Sequence, residues 1–172
     1  LKLGVDYGFS LIILAVSLPL QLLIALALRL FRRGAVFESA EYLGIRGRTF
    51  RAATFNVTAD GGGLARLLDA TGLSRLPMLG AVLAGRMSLI GPRAIPAIER
   101  ERYRRWLPSL ATLKPGVSGP WAVVPVASLE EEMRAALYYI RSWTIWLDLQ
   151  ILAQTVLVVM RRRWGRLDGE SK

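Results

Sequence analysis

A long apolar segment limits the folds open to this chain more than any other feature of its sequence. From Tyr7 to Leu28, 22 consecutive residues carry no formal charge. At about 1.5 Å per residue a helix of this length measures roughly 33 Å, enough to cross a hydrocarbon core of about 30 Å. A cleaved secretory leader is the alternative, with Ala25 to Ala27 at its cleavage site, but the run is longer than usual and arginines follow it. We therefore predict a membrane helix.

Pro19 lies near the middle of this segment, where it removes a backbone donor and disfavours helical geometry at Leu18. The sequence predicts a bend at these two residues. A kinked spanning helix and a re-entrant hairpin both remain open, although cations at both ends of the segment favour the hairpin slightly. These cations are Lys2, Arg29, Arg32 and Arg33.

The composition removes several kinds of chemistry. The 172 residues include no Cys and no His, which excludes Cys/His metal centres, disulfides, a Cys nucleophile and a His base. Lys and Arg number 23 against 13 acids, so the formal charge is +10. Such a surface attracts nucleic acid, phosphorylated substrates or anionic lipid headgroups. The length allows one ordinary domain, or a small domain with a membrane segment.

The residues after this segment predict short elements. Aromatic and β-branched residues between glycines at 34–58 favour short strands or extended loops. Short helices are predicted around residues 64–68, from Leu76 to Leu83 and from Pro96 to Trp106. Gly61 to Gly63 favour a surface turn over a phosphate cradle, because no Walker-type Lys follows them. The predicted fold is mostly α with a few short strands.

Acids and bases alternate closely from Glu99 to Arg105, which predicts a solvated helix face with Glu101 and Arg105 four residues apart. An anion site, or contact with lipid phosphates, is the alternative. The arginines available for it are Arg93, Arg100, Arg102, Arg104 and Arg105.

The last third of the chain predicts two more helices. One begins near Leu129, with glutamates in its first turn. The other covers Leu149 to Met160, which is too short to span a bilayer and fits an interfacial helix. Aromatic residues suited to a membrane boundary or to a domain core lie between them, namely Tyr138, Tyr139, Trp143 and Trp146. A basic aromatic anchor follows, made of Arg161, Arg162, Arg163 and Trp164. Asp148, among apolar neighbours, is predicted to pair with an Arg or to cap a helix.

Four segments carry a resemblance to a known family. They are Leu76-Pro77, residues 85–93 (Gly-Arg-Met-Ser-Leu-Ile-Gly-Pro-Arg), residues 115–119 (Pro-Gly-Val-Ser-Gly) and residues 143–149 (Trp-Thr-Ile-Trp-Leu-Asp-Leu). In order and spacing they resemble the monotopic phosphoglycosyl transferases, also called bacterial sugar transferases. With Pro19 as the family's helix-breaking proline, the resemblance covers nearly the whole chain.

This resemblance implies an organisation and a reaction. Residues 1–33 would form a re-entrant helix-break-helix, and residues 34–172 a cytoplasmic and membrane-interfacial sugar-transferase-like domain at a bacterial inner membrane. Family members move a sugar phosphate from a nucleotide diphosphate sugar to a polyprenyl phosphate. They use Mg²⁺ and an Asp-Glu pair whose Asp attacks the phosphorus, and cations offset the charge on the phosphates.

The chain departs from the family at that pair, which stands immediately before Leu-Pro. Ser74 and Arg75 occupy the two positions here. Asp69 is a poor substitute, because five residues of continuous helix would turn it about 140° away, and Asp60 lies beside the glycines. Ser74 has no evident base. Residues 54–58 lack two of the family's cations, Leu18 replaces a small polar residue, and Arg86 replaces an acid.

We therefore predict a catalytically inactive homologue that pairs with an active relative and supports a membrane step of bacterial glycoconjugate biosynthesis. Arg93 and Lys114 are the candidates for phosphate binding. Predicted partners are membrane lipids, the active relative and polyprenyl phosphate, but not nucleic acid, since the arginines form no groove-binding motif. No cofactor is predicted unless the chain catalyses with a displaced acid such as Asp69 or Asp60, which would call for Mg²⁺. A module that binds anionic membrane surfaces is the other alternative.

Overall fold

A computed structural model describes residues 2–31, 34–57, 62–124 and 127–164. The predictions made for Arg32, Arg33, Asp60 and Gly61 lie outside these ranges. Residues 161–164 belong to the last helix by their backbone, and the predicted anchor formed by their side chains also lies outside the described part.

Helix α1 covers Lys2–Phe31 and contains Pro19 in its interior. The helix continues without interruption through Leu18 and Pro19, where the sequence predicts a bend. Side chains add hydrogen bonds next to the proline: Ser17 Oγ donates to the carbonyl oxygen of Leu14 (3.3 Å), and Gln21 Nε2 donates to Ser17 Oγ (3.0 Å). Between Asp6 and Leu30 the helix is long and apolar enough to cross a membrane.

Both ends of α1 pack against the rest of the chain. Near its start, the Asp6 carboxylate accepts a hydrogen bond of 2.6 Å from Ser88 Oγ. Near its end, Ile24 and Leu28 are buried in a cluster with Phe55. The opposite side of the helix exposes large apolar side chains, including Leu11, Ile12, Val16, Leu18, Leu20, Leu22, Leu23, Leu26 and Leu30.

The strands predicted within 34–58 are confirmed. Strands β1 (Phe37–Leu43) and β2 (Thr49–Phe55) form an antiparallel hairpin in which Phe37 pairs with Phe55 and Leu43 with Thr49. The facing rings of Phe37 and Phe55 are stacked with centroids 5.3 Å apart. Aromatic cross-strand pairs of this kind stabilise two-stranded sheets.

Short elements fill the middle of the chain. They are helix α2 (Gly62–Thr71), a 3₁₀ turn (Leu73–Met78), α3 (Leu79–Leu83), β3 (Ser88–Ile90), a second 3₁₀ segment (Ala97–Tyr103), α4 (Leu107–Leu110), β4 (Gly116–Ser118) and α5 (Pro120–Val123). Strands β3 and β4 are parallel neighbours. The helix predicted from Leu76 to Leu83 therefore begins as a 3₁₀ turn, which tightens the chain around Pro77.

The charged segment is also 3₁₀ rather than α-helical, and it is shorter than predicted. Because a 3₁₀ helix has three residues per turn, Glu101 pairs with Arg104 (3.8 Å) instead of aligning with Arg105. Arg105 pairs with Glu130 (3.6 Å). The predicted solvated face is confirmed, since the side chains of Glu101 and Arg104 are both 81% exposed.

Helices α6 (Leu129–Ser142) and α7 (Ile145–Trp164) complete the described fold. The Glu131 backbone N–H donates to Ser128 Oγ (3.2 Å), and the Ala127 N–H donates to the Glu131 carboxylate (2.8 Å), which together cap α6. Helix α7 begins four residues before the predicted start at Leu149. The described chain is mostly helical with a few short strands, as predicted.

Candidate functional site at Ser74 and Arg75

The Ser74-Arg75 pair lies in the 3₁₀ turn that follows α2. Helix α2 ends at Thr71 because Gly72 adopts a positive φ of 75°. The chain then turns tightly towards Pro77, and this turn packs beside strand β2. Ser74 is buried, with 4% of its surface exposed. The geometry therefore gives its hydroxyl little access to a substrate.

Arg75 forms one wall of a small cavity. Its guanidinium carbon lies 4.4 Å from the centroid of the Trp121 ring, a cation–π distance. Burial lowers the pKa of Arg75, and the nearby Arg93 guanidinium lowers it further. A permanently charged, planar group thus occupies the position where the resemblance implies a carboxylate.

Arg93 faces the same cavity from the segment after β3. Its Nη1 lies 3.3 Å from the Glu132 carboxylate on α6, and Glu132 is buried. The cavity measures about 100 Å³. Its lining consists of Tyr42, Arg75, Met78, Arg93, Ala94, Pro96, Gly116 and Trp121.

The glycine at 116 allows the loop that carries Trp121 to lie close to β3. A Cβ atom on Gly116 would overlap the backbone of Gly91, so a larger residue would push the two segments apart. Trp121 Nε1 is buried and has no hydrogen-bond acceptor within the described ranges. The lining of the cavity therefore includes two guanidinium groups, and donors of this kind suit an anion.

The same donor set does not suit Mg²⁺. The described residues contain no group of three or more acidic, His or Cys side chains that could hold a metal ion. The charged groups that line the small cavity are those of Arg75 and Arg93, which repel a divalent cation. Mg²⁺ prefers carboxylate and phosphate oxygens. The residues at this site therefore do not fit the ion that the resemblance implies.

Asp69 lies in the last turn of α2, just before the turn that carries Ser74 and Arg75. Because α2 ends two residues later, the offset of about 140° does not apply. Asp69 lines a second cavity of about 260 Å³ together with Arg75, Ser118 and Trp121. The negative charge of Asp69 also acts to raise the pKa of Arg75. Asp69 is exposed. Among the residues that line these two cavities, it is the one acid.

The two predicted phosphate ligands line different cavities. Arg93 borders the small cavity, whereas Lys114 lines a separate one of about 530 Å³. Arg86, which stands where the family has an acid, faces the Lys114 cavity and is exposed. The structure therefore does not bring Arg93 and Lys114 together around one ligand in either cavity.

Two buried carboxylates have structural surroundings that sequence reasoning described incompletely. Asp6 accepts from Ser88 Oγ and from the Leu89 backbone N–H (3.3 Å). Asp148 Oδ1 lies 2.5 Å from the Tyr139 hydroxyl, and Asp148 Oδ2 accepts from Trp143 Nε1 (3.0 Å). Burial and the Asp148 contact raise the pKa of Tyr139 far above its ordinary value. The described partners of Asp148 thus include a phenol and an indole, whereas the sequence predicted an Arg partner or a helix cap.

The predicted interface residues differ in exposure. Arg29 and Trp146 are exposed, whereas Trp143 is half-buried beside its partner Asp148. The neighbouring tyrosines divide in the same way, because Tyr139 is in the core and Tyr138 is 67% exposed. Sequence reasoning also missed Trp121 and Glu132 as partners of the site arginines, since both contacts join segments far apart in the chain. The Pro-Gly content of the loop before Trp121 was the available signal.

The chain is similar to known proteins over most of its length. A family described as bacterial sugar transferase matches residues 1–162. An undecaprenyl-phosphate galactose phosphotransferase of Salmonella typhimurium is 39% identical over 99 residues, which cover 56% of this chain and 21% of that protein. A UDP-glucose:undecaprenyl-phosphate glucose-1-phosphate transferase of Escherichia coli is 28% identical over 91% of this chain and 39% of the relative. A transferase of the same description from Caulobacter vibrioides is 29% identical over 90% of the chain and 68% of the relative. The chain thus spans well under half the length of the first two relatives.

Proposed function

Because the chain belongs to the bacterial sugar transferase family, we propose that it supports the membrane step in which relatives pass a sugar phosphate to undecaprenyl phosphate, without catalysing that transfer itself. In this proposal an active relative supplies the carboxylates. The present chain stabilises that relative, or holds a phosphate-bearing substrate for it, at the cytoplasmic face of the membrane.

The observation that carries the proposal is the state of the Ser74-Arg75 pair. Attack on phosphorus needs an anionic nucleophile or a base that activates a neutral one. Ser74 is buried, and its neighbour is an arginine stacked on Trp121. A serine hydroxyl beside a guanidinium has neither the charge nor the proton acceptor that the step requires.

The remaining donors still suit a phosphate. Arg75 and Arg93 both line the small cavity. Bidentate arginine contacts to phosphate are strong and directional. Loss of the nucleophile with retention of cationic donors is what a substrate-holding subunit would need.

The packing of α1 supports a monotopic, re-entrant arrangement of residues 1–33 beneath the domain formed by the rest of the chain. Asp6 near one end and Leu28 near the other both contact residues after 50. A straight spanning helix would carry one of these ends to the far side of the bilayer. A helix bent at Pro19 keeps both ends at one surface. The apolar side chains exposed along α1 then face the lipid.

Co-purification tests the pairing directly. The chain is expressed with an intact relative from the same genome that carries the Asp-Glu pair, extracted in detergent and captured by a tag on this chain. We expect the relative to co-purify at a fixed ratio, and its transfer rate to exceed that of the relative alone. Capture of an unrelated membrane protein of similar hydropathy is the control. An absence of the relative, with an unchanged transfer rate, would contradict the pairing.

A second candidate function is favoured by a specific observation. The relatives are named as transferases, and Asp69 lines the cavity beside Arg75. An active transferase would then use Asp69 as a displaced nucleophile. Radiolabelled transfer by the isolated chain, with and without Mg²⁺, separates the two. Robust turnover that Asp69→Asn abolishes, and that a Glu38→Gln control at an exposed position on β1 leaves intact, would establish the transferase and remove the non-catalytic proposal.

A further inference from the structure

A large cavity in this chain is lined by neither Ser74 nor Arg75. It measures about 730 Å³ and separates the tip of the β1–β2 hairpin from α4 and the loop after it. Small-molecule sites in proteins are typically about 300–1,000 Å³. Its lining includes Leu43, Arg46, Arg93, Ile95, Arg100, Arg104, Leu107, Leu110 and Ala111.

Four arginines face this cavity, and none of the described residues that line it is acidic. Arg93 is shared with the small cavity and already pairs with Glu132. Arg104 makes one loose, exposed pair with Glu101 at 3.8 Å. The local charge therefore remains positive, which favours an anion within the cavity.

The hairpin tip holds Arg46 in place through its backbone. Arg46 has a φ of 57° and a ψ of 25°, a left-handed conformation that is uncommon for residues other than glycine. Its N–H donates to the carbonyl oxygen of Ala111 on the opposite wall (2.9 Å), and the Gly44 N–H donates to the Arg48 carbonyl oxygen (2.7 Å). Strained backbone of this kind concentrates at ligand sites. The tip is thereby tied across the cavity.

Arg100 approaches the same tip from the 3₁₀ segment. A Cβ atom on Gly47 would lie 3.9 Å from Arg100 Nη2, so the guanidinium lies directly against the turn. Below the arginines, the buried side chains of Leu43, Ile95 and Leu110 belong to one apolar cluster. The cavity thus combines a cationic rim with an apolar floor.

We propose that this cavity binds an organic phosphate, with the phosphate held by Arg46, Arg100 and Arg104 and the apolar part of the ligand on the floor. The site does not depend on the function proposed for Ser74 and Arg75. The cavity that contains Lys114 is a weaker candidate, because its lining includes Glu41, which already lies 3.5 Å from Arg51.

Titration of the detergent-solubilised chain with phenyl phosphate tests this site. The variant carries Arg46→Gln, Arg100→Gln and Arg104→Gln. The matched control carries Arg66→Gln, Arg134→Gln and Arg141→Gln, which remove the same charge from exposed positions on α2 and α6. We expect the Kd to rise at least about tenfold in the cavity variant and less than about twofold in the control. Equal weakening in both variants, or no binding by the parent chain, would overturn the proposal.

Two further titrations identify the source of the phosphate and test the floor. Inorganic phosphate is expected to bind at least about threefold more weakly than phenyl phosphate, because it makes no apolar contact. ADP represents a soluble ligand, and phosphatidic acid in phosphatidylcholine vesicles represents a lipid headgroup. Binding of either one that the cavity variant loses, and the control keeps, supports the site and names the source. If the cavity variant still binds both ADP and phosphatidic acid as the parent chain does, the proposal is wrong. Tighter binding of inorganic phosphate than of phenyl phosphate would also contradict it.

Discussion

The chain carries buried carboxylates in its fold and has none at the two positions where the family resemblance implies them. Asp6 and Asp148 are buried carboxylates that accept hydrogen bonds from neighbouring groups and join distant parts of the fold. At Ser74 and Arg75, where the family resemblance implies acids, the 3₁₀ turn carries a hydroxyl and a guanidinium. The difference separates residues that hold the scaffold from residues that would perform chemistry.

Substitutions of the buried acids and substitutions at Ser74 and Arg75 are therefore expected to have different effects. Buried acids that serve the fold should be costly to remove, because their hydrogen-bond donors would be left in an apolar interior. Residues at the degenerate pair should be cheaper to change, and their replacement should alter chemistry more than stability.

The largest effect is expected for Asp148→Ala. It leaves the Trp143 N–H and the Tyr139 hydroxyl without their carboxylate partner. We expect a loss of about 3 to 5 kcal/mol, a fall in melting temperature of roughly 10 °C. Thermal unfolding in detergent measures it. Asp69→Ala, at an exposed position, is the control and should change stability by under about 0.5 kcal/mol. Equal melting temperatures for the two variants would mean that the buried Asp148 contributes no more to stability than the exposed Asp69.

A smaller effect is expected for Asp6→Asn. The amide keeps one acceptor but loses the charge that strengthens the bonds from Ser88 Oγ and the Leu89 N–H. We expect about 2 kcal/mol of destabilisation by the same assay. The double variant with Ser88→Ala should cost less than the sum of the two single changes, since both remove one interaction. Strict additivity would show that α1 is not held through this contact.

Restoring acids at the degenerate pair should alter activity. The variant Ser74→Asp with Arg75→Glu replaces a hydroxyl and a cation with the missing carboxylates. We expect partial recovery of Mg²⁺-dependent sugar-phosphate transfer, about tenfold above the background of the parent chain. Ser74→Asn with Arg75→Gln has nearly the same shape without charge and should stay at background. If the acidic variant also stays there, changes such as Asn56 and Arg86 have dismantled the site further.

The smallest effect concerns the contact between Arg75 and Trp121. A double-mutant cycle of Arg75→Gln and Trp121→Leu should give a coupling energy of about 0.5 to 1 kcal/mol, as expected for a cation–π pair. Denaturant or thermal unfolding of the four proteins measures it. A coupling energy near zero would mean that Trp121 does not hold the guanidinium over the cavity.

Local patterns sufficed for much of the fold. The uncharged run predicted α1, the glutamates of the first turn predicted α6, and aromatic residues between glycines predicted the hairpin. The 3₁₀ segments Leu73–Met78 and Ala97–Tyr103 fall where ordinary short helices were predicted, because hydrophobic and charge patterns scarcely distinguish three residues per turn from 3.6. The proline inside α1 predicted a bend at Leu18, and the helix continues through both residues.

The sites were less predictable than the elements. Motif order located Ser74 and Arg75, since these positions are fixed by the neighbouring Leu76-Pro77. The contacts of Arg75 with Trp121 and of Arg93 with Glu132 join segments far apart in sequence, so tertiary packing alone creates them. Arg46 and Arg100 line the large cavity together for the same reason, since Arg46 lies at the tip of a hairpin that packs against a distant segment.

The central claim is that phosphorus is not attacked by any group of this chain. Its most direct test is intact-mass measurement of the purified chain after incubation with the nucleotide diphosphate sugar used by an active relative and Mg²⁺, with that relative as a positive control. The account predicts an unchanged mass for this chain and a phosphosugar adduct on the relative. An adduct on this chain, mapped by peptide sequencing to Asp69 or Ser74, would contradict it.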